Sequence, residues 1–191
     1  MKLHESITQR LRAFILDQPL FFVATAPSGA DGHVNVSPKG MRGTFAVLGE
    51  HRVAYLDYFG SGAETIAHLR DNGRITLMFC AFTGPPTIVR LHGRGSFVLR
   101  DDPEFAAAVT GFDARDPHAA RAVILVDVER IADSCGFAVP LMEYVGDRDL
   151  LIRAHERRDD DDLAAYGRDK NATSIDGLPA LARIPRVLPS P

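Results

Sequence analysis

Hydrophobic residues recur along this chain with two periods, and the period of two dominates. It shows first where Val34 and Val36 alternate with Asn35, Ser37 and Lys39, which predicts a strand over His33 to Ser37 with the three polar side chains on one face. Leu20 to Ala26, rich in Phe and Val and closed by Pro27-Ser28-Gly29 and Asp31-Gly32, reads as the strand before it. Thr44 to Leu48 and Arg52 to Tyr58 make a hairpin around Gly49-Glu50-His51. Ile75 to Phe82 is almost continuously apolar, which suits a strand covered on both faces. Gly84-Pro85-Pro86 separates it from a further strand, Thr87 to Arg94, where Gly93 and Gly95 predict a bulge or sharp bend. Ala122 to Val128 is the last strong strand.

The helical period is confined to short pieces. Ile7, Leu11, Phe14 and Ile15 share one face over residues 6 to 17, with Ser6 and Gln9 at capping-box spacing. Ala63 to Arg70 carries Ile66 and Leu69 on one face and stops at Asn72-Gly73. Asp102-Pro103-Glu104 opens a short Ala-rich helix. Five or six strands joined by hairpins and brief helices argue for an antiparallel barrel over an alternating parallel fold. Past Val128 the pattern changes. Cys135-Gly136-Phe137 and Val139-Pro140-Leu141 are irregular but apolar, and Asp147 to Tyr166 is a charged helix loosened at Asp159 to Asp162. From Gly167 the chain reads as extended, with Pro179, Pro185, Pro189 and Pro191. Its Ile175, Leu178, Leu181 and Ile184 are apolar enough to lie on a surface. We therefore expect a barrel domain over 1–130 and an extension over 131–191 packed on the barrel or on a partner subunit.

Composition narrows the functions. A chain of 191 residues buries a real core. A net charge of −3 without a basic run gives no footprint for nucleic acid. The start of the chain lacks a signal-peptide pattern and no apolar run is long enough to span a bilayer, so a cytoplasmic protein with no membrane partner is expected. Two cysteines, Cys80 and Cys135, make neither a disulfide framework nor a metal motif. The seven histidines show no ligand spacing, and no metal is expected. Cys80 reads as a core thiol and His68 as a partly exposed helix residue.

Two features carry candidate chemistry. The first is the polar face Asn35, Ser37 and Lys39. A lysine there either reaches water or meets an anion, because burying it alone is costly. The second is Gly60-Ser61-Gly62 running into a helix, an arrangement that offers backbone N–H groups to an anion. It is neither a Walker A loop nor a dinucleotide fingerprint, and Ser61 and Glu64 also fit a capping box.

The order VATAP, DGHVNVSPKG, RVAYLDYFGSGAETIAHLRDNGRITLMF and VRLHGRG resembles the pyridoxamine 5′-phosphate oxidase-like family of flavin-binding split barrels, over roughly residues 20 to 130. Cys135-Gly136-Phe137 with Pro140-Leu141, and the later Ser174-Ile175-Asp176-Gly177-Leu178-Pro179, resemble the C-terminal signature of an uncharacterised branch. The resemblance implies a mainly β fold, a six-stranded antiparallel Greek-key split barrel with flanking helices. It also implies a homodimer, FMN in a cleft between subunits, and an oxidoreductase acting on a small-molecule substrate. Carried over by position, Asn35, Ser37, Lys39 and Gly40 lie on the flavin-binding strand, Asp57 on a neighbouring strand, and Ser61, Gly62 and Thr65 at the phosphate end. The loop departs from the family in having Glu64 and no Arg or Lys. Deazaflavin or haem in the same barrel, or a non-enzymatic flavin-binding dimer, are the alternatives.

Overall fold

A computed structural model describes residues 1–182, apart from the side chain of His118. Ile184, Pro185, Pro189 and Pro191 of the expected extended tail lie outside the described residues. The fold is mainly β. Strands β1 (Lys2–His4), β2 (Leu20–Thr25), β3 (Asn35–Gly40), β4 (Phe45–Gly49), β5 (Arg52–Tyr58), β6 (Arg74–Cys80), β7 (Thr87–Leu99) and β8 (Ala120–Cys135) form one antiparallel sheet. Its order is β3-β2-β6-β7-β8-β5-β4, with β1 added to β8. The six expected strands are thus eight. A three-residue N-terminal strand is added, and each member of the hairpin β4–β5 counts separately.

The first and last strands of this order, β3 and β4, do not pair with each other, and the curled sheet is closed by side chains. An aromatic cluster fills the gap: Phe21 of β2 packs against Phe45 of β4 and Tyr55 of β5 edge to face, and stacks on Phe79 of β6. Edge-to-face and offset pairs suit the ring quadrupole and add about 0.5–1.5 kcal/mol each beyond the area they bury. Helix α1 (Gln9–Asp17) seals this end with Leu11 and Ile15. Its cap is Thr8, whose hydroxyl accepts from the Leu11 N–H, so the capping box expected at Ser6 and Gln9 is not the one used.

The expected bulge falls at Gly93. The register of β7 on β8 shifts between His92 and Gly93, leaving Glu129 opposite no partner. A Cβ at Gly93 would stand 2.1 Å from the Asp127 carbonyl oxygen, so only glycine lets the two backbones approach there. Helix α2 (Glu64–Asp71) packs into the same core through Ile66, Ala67 and Leu69. On the outer face a second cluster joins Ala54, Leu56 and Tyr58 to the short helix α3 (Phe105–Ala108). Beyond the sheet, which runs on to Cys135, the charged stretch forms α4 (Leu150–Glu156) and α5 (Asp160–Lys170). Asp159 caps α5 by accepting from the Asp162 N–H, and Asp160 to Asp162 occupy its first turn, where negative charge is favoured.

Candidate functional site

The inner face of β3 is the polar one. Val34 and Val36 point outward at 70% and 62% exposure, reversing the usual hydrophobic-in arrangement, while Asn35, Ser37 and Lys39 face across the open seam of the barrel. Each finds partners there. The Ser37 hydroxyl donates to Asn35 Oδ1 at 2.9 Å, and Asn35 Nδ2 donates to the hydroxyls of Thr25 (3.1 Å) and Thr65 (3.2 Å). Thr25 Oγ1 lies 2.9 Å from His68 Nδ1.

His68 is fully buried, contrary to the partly exposed position expected for it, and its Nε2 has no hydrogen-bond partner. Burial pushes its pKa down against the opposing pull of Asp176, Glu64 and Asp71, so the ring stays neutral at pH 7. Tyr55, also fully buried, continues the polar line between Thr65 and Asp57, and burial followed by the Asp57 charge pushes its phenol well above the usual range.

Lys39 meets an anion, and that anion belongs to the protein. Its Nζ donates to Asp57 Oδ1 at 2.6 Å, and Arg121 of β8 donates through Nε to Asp57 Oδ2 at 2.9 Å. Asp57 is inaccessible to solvent and Arg121 nearly so. Burial alone would raise the Asp57 carboxyl; the Arg121 guanidinium and then Lys39 outweigh it and hold the pKa down at about 2. Two cations on one carboxylate leave the group with net charge +1. Lys39 remains 22% exposed, with two N–H donors beyond the one given to Asp57.

Lys39 is one of the residues lining a cavity of about 750 Å³. Its walls include Lys39, Gly40, Met41, Leu56, Tyr58 and Tyr144, and it lies within the range of small-ligand and cofactor sites. Met41, on its wall, has a φ of 74°, a left-handed conformation rare for a residue with a side chain. The turn is held by Thr44, whose N–H and hydroxyl both donate to the Met41 carbonyl.

The Gly60–Thr65 end is built differently. Ser61 is exposed, α2 has no side-chain cap, and Glu64 accepts the Ile175 N–H through Oε1 at 3.2 Å while its Oε2 lies over Gly62. The segment 171–181 straps over this loop: Asn171 Nδ2 donates to the Gly60 carbonyl, the His33 N–H and ring meet Asp176, and Arg70 Nε donates to the Ala180 carbonyl. Tested against FMN, the two ends differ. The cavity at Lys39 fits, with apolar walls for a flat ring system and a cation with free donors. The Gly60–Thr65 loop does not fit a phosphate dianion, because it carries a carboxylate and the chain's own strap.

The structure therefore brings Asn35, Ser37 and Thr65 into one network, and Lys39 and Asp57 into an ion pair beside Gly40. Ser61 and Gly62 stand apart from both. Arg121 and Thr25 are not among the candidates that the sequence offers, and His68 is expected only as a partly exposed helix residue. The signal for Arg121 was available: one cation inside Ala120–Val126, the most apolar strand, has to be paired. Among the described residues no cluster of His, Cys, Asp or Glu could hold a metal ion, and no helix is long and apolar enough to cross a membrane.

The chain is similar to several known proteins. A pyridoxamine 5′-phosphate oxidase family protein, ustO of Aspergillus flavus, is 42% identical over 192 residues, covering 93% of this chain and 77% of that protein. Among solved structures, a putative 5-nitroimidazole antibiotic resistance protein of Bacteroides thetaiotaomicron aligns with a TM-score of 0.47 and 16% identity, over 69% of this chain and 85% of that one. An FMN-binding protein of Syntrophomonas wolfei aligns with a TM-score of 0.47 and 15% identity, over 64% and 82%. The pyridoxamine 5′-phosphate oxidase family model matches residues 7–135, from the start of α1 to the end of β8. On that match and the fungal relative, the chain belongs to the pyridoxamine 5′-phosphate oxidase family.

Proposed function

We propose that the protein binds FMN in the 750 Å³ cavity and is an oxidoreductase acting on a small molecule, working as a homodimer. The observation that carries this reading is Lys39: a cation at the wall of this cavity, anchored by a buried carboxylate and with donors left beyond that pair. When bound, the flavin supplies the redox chemistry. Lys39 supplies a fixed positive charge toward the cofactor's anionic or electron-rich edge, and Asp57 with Arg121 keeps its ammonium in place. Leu56, Tyr58 and Leu151 exclude water from the same space. Family membership supports the flavin. The strapped Gly60–Thr65 loop favours a phosphate placed at the Lys39 end. The homodimer is supported by Val34 and Val36, two exposed valines on the outer face at the start of the edge strand β3.

The test is a titration of the purified, cofactor-free protein with FMN, followed by quenching of flavin fluorescence and by the shift of the flavin absorption bands. Saturable binding at micromolar protein is expected. The absence of both signals would refute the flavin reading.

A further inference from the structure

The two cations that hold the buried Asp57 line different cavities: Lys39 lines the first, and Arg121 lines a second of about 620 Å³. The second cavity lies between the β7–β8 end of the sheet and α5. Its apolar walls include Phe59, Leu99, Ala164 and Leu181, and it also borders Arg100, Asp101, Asp160 and Arg168. The charges on its wall are not equivalent. Arg100 donates to Asp160 at 2.7 Å and to the Ala120 carbonyl, so that pair largely cancels. Arg121 is 4% exposed, its Nε is spent on Asp57, and its Nη1 is buried with no hydrogen-bond partner. Native interiors rarely leave such a donor unmatched, and the guanidinium that carries it belongs to a residue lining the cavity.

We propose that this cavity is a binding site for an organic monoanion, a carboxylate on an apolar body, with Arg121 as the group that recognises the charge. The planar guanidinium presents a fork suited to a carboxylate, and its Nη donors are the part left over from Asp57. The apolar walls fit a hydrocarbon or aromatic body better than an inorganic anion, which would gain nothing from Phe59, Leu99 and Ala164. The proposal does not depend on flavin binding in the first cavity.

Benzoate serves as the probe, with benzyl alcohol as its uncharged counterpart, and binding is read by calorimetry on the full chain without added flavin. Benzoate is expected to bind at sub-millimolar concentration and benzyl alcohol at least tenfold more weakly. Ala164→Phe fills the cavity from α5 without touching the Asp57 ion pairs, and should weaken benzoate at least tenfold while leaving the thermal midpoint within a few degrees. Arg121→Met should abolish benzoate binding, but it disturbs Asp57, so Ala164→Phe is the deciding variant. Equal binding of the alcohol, unchanged benzoate binding in Ala164→Phe, or no benzoate binding at all would overturn the proposal. Binding that appears only in a chain ended at Ala182 would overturn it in favour of residues 183–191 as the occupant.

Discussion

Lys39→Met removes a charge and two free donors while keeping most of the volume of the side chain, and the structure sets the size of both consequences. Asp57 has two partners, at 2.6 and 2.9 Å, and no access to water. Stripping a buried carboxylate of its only cation costs about 3–5 kcal/mol. Here Arg121 stays, the charges still balance one to one, and the loss is one charge-assisted hydrogen bond, about 1.5–3 kcal/mol of folding stability. If Lys39 also faces the flavin, FMN affinity falls by a comparable amount, roughly one to two decades in dissociation constant. Urea unfolding measures the first effect: with an unchanged slope, the midpoint drops by about 0.7–1.5 M for a slope near 2 kcal/mol per molar. Flavin fluorescence quenching at low and high salt measures the second, which weakens with screening. Wild-type stability in Lys39→Met would refute the ion pair. Wild-type FMN affinity together with lost stability would leave Lys39 a purely structural residue and remove the proposed site.

Asp57→Asn leaves Arg121 buried without its anion and should cost about 3–5 kcal/mol at pH 7. The Asp57 pKa is depressed from its usual 3.8 to about 2, so its contribution is present above pH 4 and lost as pH falls through 2; wild type should lose about 2 kcal/mol more than Asp57→Asn between pH 5 and 2, read by urea titration at each pH. Equal losses would contradict the depressed carboxyl. Gly93→Ala places a Cβ against the Asp127 backbone and should cost roughly 3 kcal/mol, visible as a lowered thermal midpoint, whereas Gly84→Ala, with open space around it but a φ of 69°, should cost only about 1 kcal/mol. Light scattering should give twice the chain mass for wild type, and Val36→Lys should shift it toward the monomer; a concentration-independent monomer in wild type ends the dimer reading.

The period of two made the sheet legible, and Arg52 to Tyr58 could be read to the residue. The last two strands were read too short, and for β8 the physical reason shows in the register. The bulge at Gly93 makes Glu129 an extra residue, so Glu129 and Arg130 are consecutive exposed positions, and the alternation that marks a strand breaks although the strand runs on to Cys135. The polar face of β3 was likewise legible as a face, but not which way it turned. Valines normally face the core, and only the pairing of Thr25 with Asn35 and Val23 with Ser37 shows the polar side inside. His68 was misplaced because a histidine on a short helix is ordinarily wet; here its ring lies against Thr25 of β2, 43 positions away. The capping box at Ser61 and Glu64 failed for the same cause, since the Glu64 carboxylate is taken by Ile175. Long-range contacts decided each miss, and local spacing does not encode them.

The position of β8 bears on how the chain reaches its fold. This strand pairs with β7, β5 and β1, so it binds partners from the beginning, the middle and the neighbouring part of the sequence. Synthesis runs from the N-terminus, and β5, with Val53, Ala54, Tyr55 and Leu56 buried in the finished protein, has only the short β4 beside it until residues 120–135 emerge. An apolar strand kept waiting for a distant partner is the situation that slows folding and invites association between nascent chains. Truncations that end before Ala120 should therefore be recovered as aggregates rather than as small soluble barrels, and refolding from urea should be slow and sensitive to protein concentration.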